Sequence, residues 1–405
     1  MDSKIFKAGV VLGLLSVIGP FAIDMYLPAL PAIAKTLHAD TGPAQLSIMA
    51  FMLASAVFGL VYGPVSDMIG RKPPFYFGIA LYLAGSVGSA LSPSIEWLIA
   101  FRFLQGIGAC ASFSLPRAIV RDNYTGAAAT QLFSLLMLVF SISPILAPAL
   151  GSLVIQFGDW RTIFWVMTGA SVLALLIAVF VLKETRPKEA RVESSFGSAL
   201  SGYGKLLRDG RFMGLTFIGG FGMASFMAFI GSSSFVYQNH YGLTPTFYSF
   251  AFSINAVGFF GASQATGALV KRFGLNKVVR NAVWGFTVPM VLLLVLFLVG
   301  VDSFAVLATL MFIAFTFLGL VLPTTGVLAM EEQGEIAGTA SALMGTLQLV
   351  AGSLVMAVSG FFFNGTALPM VVAFAGCAIV AFVLTQFTIR GDSPPVDGPI
   401  EVPAE

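Results

Sequence analysis

The sequence predicts an all-α integral membrane protein, with twelve transmembrane helices in two pseudo-symmetric six-helix bundles. Three observations lead there. Of 405 residues, 57% are hydrophobic and 10% are charged, where soluble domains carry roughly 25% charged residues. Mean hydropathy is +0.92, more apolar surface than a soluble core can bury. Apolar runs long enough for a helix to cross the hydrocarbon, about 20 residues, recur along the chain, and one charged stretch divides them six and six.

Charges, Pro/Gly clusters and polar turns set the breaks. The first six spans fall at 7–34, 44–66, 75–92, 96–119, 127–154 and 161–182. The second six fall at 211–237, 246–270, 278–299, 303–327, 336–363 and 368–388. Residues 1–182 form the first bundle and 211–390 the second. Between them, "KETRPKEARVESSFGSALSGYGKLLRDGR" (183–211) holds mixed charges that suit a cytoplasmic linker (183–210), partly helical and lying on the surface. The tail 391–405, "GDSPPVDGPIEVPAE", is Pro-rich and acidic and is predicted to be disordered.

Lys and Arg set the orientation. With the N-terminus inside, the cytoplasmic loops hold Lys4, Lys7, Arg71, Lys72, Arg121, the run from Lys183 to Arg211, Lys271, Arg272, Lys277, Arg280 and Arg390. The opposite loops hold only Lys35 and Arg161. An even number of spans then places both termini in the cytoplasm.

Several function classes drop out. A net charge of +2 carries no signature of a nucleic-acid partner. Cys110 and Cys377 lie far apart in apolar runs and read as small buried side chains. No metal spacing, phosphate-binding loop or catalytic triad is visible, so neither an enzyme nor a cofactor is expected. The apolar N-terminal run continues too far for a cleavable signal. The expected energy source is an ion gradient.

The halves repeat weakly. "GPVSDMIGRKPPF" (63–75) aligns with "GALVKRFGLNKVV" (267–279), placing Gly63 on Gly267 and Gly70 on Gly274. "TGPAQLSIMAF" (41–51) resembles "LTPTFYSFAF" (243–252). Two parallel halves with binding at the midplane is an architecture of secondary transporters.

Four stretches carry the chemistry. In "GPVSDMIGRKP", Gly63 and Gly70 permit a tight turn, and Asp67 sits at a helix end beside Arg71 and Lys72. Asp122, in "RAIVRDNY", is a candidate partner for that basic pair. "LIAFRFLQGIGACAS" (98–112) places Arg102 in an apolar helix, with Gln105 three residues on along the same face. A mid-span guanidinium costs about 2.5–3.5 kcal/mol on insertion scales, so it needs a partner or water, unless it snorkels to the outer surface. "SPILAPALGS" (143–152) holds Pro148 and Gly151 among small residues, which allow a bend and close packing.

The fourth stretch, "GPFAIDMYLPALP" (19–31), carries a carboxylate in an apolar run. The run stays apolar to Ala34, which predicts that the helix continues past Asp24 and places it beyond the middle of the span. The alternative is a carboxylate at the outer interface of a helix ending at Pro28.

Together these motifs resemble the major facilitator superfamily. The loop at 63–73 resembles its loop 2–3 signature, in which an aspartate and an arginine pair with an acid at the end of the fourth helix and latch the halves. That resemblance implies a conformational latch of Gly63, Asp67, Gly70, Arg71 and Asp122, favouring the outward-facing state. The stretch at 102–109 resembles the fourth-helix motif of drug–proton antiporters, R-x-x-Q-G-x-G-A. The stretch at 143–152 resembles their fifth-helix motif, with Ser143, Ala147 and Ser152 in place of glycines. "DMYLPALPAIA", residues 233–258 and "AGTASALMGTLQ" (337–348) resemble the bicyclomycin-resistance (Bcr/CflA) branch of twelve-helix multidrug exporters.

The resemblance implies a monomeric drug:proton antiporter working by alternating access, with small-molecule drugs, protons and the lipid bilayer as partners. Asp24 and Arg102 are the expected proton-coupling pair, if they are neighbours. Asp24, Tyr26, Arg102, Gln105, Tyr237, Asn255 and Gln348 are the expected substrate contacts, because polar groups in membrane helices face the interior. The alternative is a proton-coupled or facilitative carrier of a small metabolite such as a sugar, amino acid or peptide.

Overall fold

A computed structural model describes residues 3–186, 196–331, 333 and 336–389. The middle of the predicted linker, Arg390 and the predicted disordered tail lie outside the described residues. Among those described, the chain is helical, with no strand. The first half holds α1 (Ser3–Asp24), a 3-10 turn at Leu27–Ala29, α2 (Leu30–Thr36), α3 (Thr41–Ile69), α4 (Lys72–Ala90), α5 (Ile95–Asn123), α6 (Gly126–Val154) and α7 (Arg161–Phe180). A linker helix, α8 (Phe196–Arg208), follows. The second half holds α9 (Gly210–Phe235), a π turn at Val236–His240, α10 (Pro245–Phe273), α11 (Leu275–Leu298), α12 (Phe304–Met330), α13 (Ala337–Phe361) and α14 (Leu368–Thr388). Counting α1, its 3-10 turn and α2 as one unit, the twelve predicted segments each have a helical counterpart.

Among the described residues, ten helical stretches are long and apolar enough to cross a membrane. The counterparts α4 and α10 are not among them. The first opens on Lys72-Pro73-Pro74, and the second carries polar residues from Ser249 to Gln264.

The first unit departs from the expected continuous helix. Helix α1 ends at Asp24, and the chain turns before resuming at Leu30. The cause is local: Pro28 and Pro31 lack the N–H groups that would bond the carbonyls of Asp24 and Leu27. Apolarity persists to Ala34 but cannot supply those donors.

Gly70 and Gly274 end α3 and α10 with φ of 99° and 80°, a region open mainly to glycine. The internal match at this offset thus marks one chain reversal used twice. Gly63 is different: a methyl there would meet open space, so close packing does not require a glycine at that site.

Within the first half, α5 packs on α3 and α4, α4 on α7, and α1 on α5 and α6. Within the second, α9 packs on α13 and α14, α11 on α12 and α14, and α10 on α12. Two seams join the halves, α3 against α13 and α6 against α10. Closest approach in each half uses glycine. A methyl on Gly106 of α5 would strike the Phe51 carbonyl of α3, and one on Gly319 of α12 would strike the Phe259 carbonyl of α10. Such contacts let backbones approach where side chains would hold them apart.

Candidate functional site: a central apolar cavity with one carboxylate

A cavity of about 540 Å³ lies between the halves. Its first-half wall includes Pro20, Ile23, Asp24, Phe51, Phe113 and Phe140, and its second-half wall includes Met223, Phe226, Phe259 and Phe260. Phe226 stacks on Phe259 with ring centroids 5.8 Å apart, and Phe113 on Phe140 at 6.1 Å. Arg117 lies over the Phe140 ring at 5.1 Å. Among the described residues lining the cavity, Asp24 is the one charged side chain. It is 5% exposed and accepts a hydrogen bond from Ser143 Oγ at 3.2 Å. The break after α1 leaves this carboxylate at a helix end beside the void.

Arg102 is buried in the first half rather than in the cavity wall. Its Nη1 donates to the Ala22 carbonyl at 3.1 Å and to Gln105 Oε1 at 2.6 Å. Its guanidinium lies between the rings of Tyr26 and Phe51, 4.6 and 4.4 Å from their centroids. Gln105 Nε2 passes the chain on to Ser86 Oγ at 2.8 Å. Tyr26 exchanges a hydrogen bond with Ser47 at 2.7 Å. Arg102 therefore reaches the backbone two residues before Asp24, while the carboxylate itself binds Ser143; the two side chains form no direct pair.

The remaining expected contacts are scattered. Tyr237 sits among Phe229, Tyr248 and Phe304. Asn255 Nδ2 donates to the Ala251 carbonyl of its own helix at 3.1 Å. Gln348 packs against Gly219 and donates to the Thr216 carbonyl at 3.5 Å. Of the seven expected substrate contacts, Asp24 alone lines the cavity; Tyr26, Arg102, Gln105, Tyr237, Asn255 and Gln348 do not.

The basic end of the bundle carries the predicted charge cluster. Arg71, 1% exposed, holds Asp122 through two bonds of 2.7 and 3.0 Å, Asp67 at 2.8 Å and Ser66 at 2.6 Å. Sequence reasoning missed two further members. Arg186 reaches Asp67 at 3.0 Å. Glu184 accepts from the backbone N–H groups of Arg71 and Lys72 at 2.8 and 3.1 Å, capping α4, and from those of Thr185 and Arg186. Partial burial pushes the Glu184 carboxyl up, but the four donors outweigh it and hold the pKa below the ordinary glutamate range. The expected latch between halves thus appears as a cluster within the first half, closed by the start of the linker.

The hydrogen bonds that cross the halves sit nearer the other end. Ser234 Oγ donates to the Leu27 carbonyl at 2.6 Å, and Gln238 Nε2 to the Pro28 carbonyl at 3.0 Å. Pro31 has no N–H to bond the Leu27 carbonyl in α-helical fashion, so that oxygen accepts from the Leu30 N–H and from Ser234 instead. Ser249 Oγ reaches the Pro148 carbonyl at 2.9 Å, and Ser253 Oγ the Ile145 carbonyl at 2.7 Å. On the α3–α13 seam, a methyl on Gly360 would strike Gln45. Pro148 and Gly151 do lie in a tightly packed stretch: a methyl on Gly151 would meet the Met25 carbonyl.

A multi-pass helical protein with a closed seam at one end and a ligand-sized void between its halves is a membrane transporter. The chain belongs to the Major Facilitator Superfamily, whose family profile matches residues 12–356. It is 40% identical to the uncharacterized MFS-type transporter YdgK of Bacillus subtilis, over 89% of this chain and 90% of that one. It is 27% identical to the bicyclomycin resistance protein homolog of Haemophilus influenzae, over 93% and 94%. It is 37% identical to the multidrug resistance protein MdtL of Escherichia coli, over 42% and 43%. Among solved structures, the nucleoside transporter NupG superposes with a TM-score of 0.77 at 13% identity, covering 95% of this chain and 100% of that one. The xylose transporter XylE of E. coli, in a partially occluded inward-open conformation, gives 0.72 at 14%, covering 97% and 100%. At these identities the two structures support the fold alone.

Proposed function

We propose that this chain is a proton-coupled exporter of amphipathic drugs or antibiotics, working as a monomer in a bacterial inner membrane with both termini in the cytoplasm. Asp24 is the group that alternately holds a proton and answers to substrate. One observation carries the reading: a single carboxylate faces a cavity whose described lining is otherwise apolar and aromatic apart from Ser55 and Ser263. Such a wall suits apolar ring-bearing compounds, held by few polar groups. It suits a sugar poorly, because most sugar hydroxyls would find no partner and would pay desolvation. The names of the Haemophilus and E. coli relatives point toward drug resistance. Protonation lets Asp24 face the apolar void without charge, and proton loss restores a carboxylate that attracts cationic compounds. With the seam closed at the end away from the Lys- and Arg-rich loops, positive-inside orientation makes the described conformation inward-facing.

The test is substrate-induced proton movement in everted vesicles, across a panel of antibiotics and dyes. Proton release from the acidified lumen on adding a compound supports antiport and names a substrate. Silence across the panel with correctly inserted protein would favour a metabolite carrier, with Asp24 as a binding or structural carboxylate.

A further inference from the structure

Ser143 lies in α6 at a position where the resembled antiporter motif has glycine, and it does what glycine cannot. Fully buried, it donates from Oγ to Asp24 Oδ2 at 3.2 Å. The stretch of α6 that follows touches both halves. Ala147, one turn on from Ser143, is buried, and Gly151, two turns on, packs against the Met25 backbone just past the end of α1. Toward α10, the carbonyls of Ile145 and Pro148 accept from Ser253 and Ser249. Pro144 and Pro148 each remove an intrahelical donor from this stretch, which makes it the part of α6 most easily bent.

We propose that Ser143 is the positioning residue that ties the Asp24 carboxylate to α6, so that protonation of Asp24 is transmitted to the α6–α10 seam. A carboxylate accepts strongly from the serine hydroxyl; a neutral carboxyl accepts more weakly or donates in its turn. Each change of state therefore alters the pull of α1 on the bendable stretch, two residues from a carbonyl that holds α10. Other groups act on Asp24 without this link. Arg102 of α5 bonds the Ala22 carbonyl, Tyr26 follows on the same segment, and Tyr248 of α10 is within electrostatic reach. Helix α6 itself carries no titratable side chain, so its response to pH must come from a neighbour. The proposal rests on Asp24 being the proton-holding group.

The experiment uses the full chain in lipid nanodiscs, with spin labels at Lys35 and Asn239, exposed on opposite halves at the closed end. Infrared difference spectra across a pH series follow the protonated carboxyl band, assigned by its loss in Asp24→Asn. In the wild type, the carboxyl midpoint and the midpoint of the label-distance change coincide. In Ser143→Ala, and in Ser143→Gly as a second variant, the carboxyl midpoint moves to higher pH by about one unit, the shift expected for losing one charge-assisted hydrogen bond. The label distance loses its dependence on pH in the same variants, and Ser143→Thr restores both. A merely structural serine would lower thermal stability and leave both midpoints at their wild-type values. That result overturns the proposal, as does a wild-type label distance that ignores Asp24 protonation. A shifted midpoint with lost distance coupling, in a protein whose wild type moves no protons on adding substrate, would support Ser143 while removing the antiport reading.

Discussion

Asp24→Asn sets a quantitative test, because the cavity holds one carboxylate. One titratable group carries at most one proton per cycle. A pH difference of one unit supplies about 1.4 kcal/mol per proton, equivalent to a tenfold concentration ratio. With membrane potential clamped at zero, a neutral substrate can therefore be accumulated about tenfold per pH unit and no further. Asn cannot take up a proton but can still accept from Ser143, so fold and cavity shape are retained. The ceiling for Asp24→Asn is then a ratio of about one, with equilibration still permitted. The assay is steady-state accumulation of a labelled substrate in proteoliposomes at a one-unit pH difference, clamped with potassium and valinomycin. A wild-type ratio well above tenfold would require a second proton-carrying group. A sustained gradient in Asp24→Asn would remove Asp24 from coupling altogether.

Three further outcomes follow from geometry. Gly106→Ala drives a methyl into the Phe51 carbonyl, while Gly59→Ala on α3 meets open space; the first costs about 1–3 kcal/mol in overpacking, and thermal unfolding in detergent falls for it and not for the second. Phe226→Ala removes a ring that walls the cavity and stacks on Phe259; an aromatic contact of about 1.5 kcal/mol predicts roughly tenfold weaker substrate binding by equilibrium titration. The depressed pKa of Glu184 makes its cap on α4 fully stabilising above the unfolded glutamate value of about 4.3, and the contribution is lost as pH falls through the lower folded value. The difference in thermal midpoint between wild type and Glu184→Gln should accordingly be flat near neutrality and vanish in acid; a difference that instead grew in acid would reverse the assignment.

Much of this arrangement is legible from the chain because membrane burial penalises charge so heavily. The positions of Lys and Arg mark the basic turns, and apolar runs between them yield the spans. Asp24 stands out for the same reason: a carboxylate in an apolar run needs a purpose. The break after it was missed because the apolar signal continued across Pro28 and Pro31, where backbone donors, not hydropathy, decide the geometry. Arg102 and Gln105 were recognised as a connected pair, but spacing along α5 could not tell an inward-facing polar chain from a cavity wall. The aromatic wall was not readable residue by residue. With 39 phenylalanines, cavity, core and lipid faces share one composition, and only packing separates Phe226 from the exposed Phe250. Ser143 acts through one tertiary contact and Glu184 through its cap on the distant start of α4, neither with a local pattern, although a serine in place of a motif glycine was the available clue for the first.

While Gln45 and Gln156 reach Ser232 and Thr246 side chain to side chain, four of the cross-half bonds, those of Ser234, Gln238, Ser249 and Ser253, end on main-chain oxygens of the first half. Their acceptors therefore survive most side-chain replacements at 27, 28, 145 and 148, whereas their donors do not. At those four bonds the first-half lip can diverge freely while the second-half lip must keep its hydroxyl and amide groups; Gln45 and Gln156 are the first-half side chains that carry a bond of their own. A hybrid transporter built from this chain's second half and a distant relative's first half should close the same end so long as the foreign backbone keeps its path and supplies amide donors at 45 and 156.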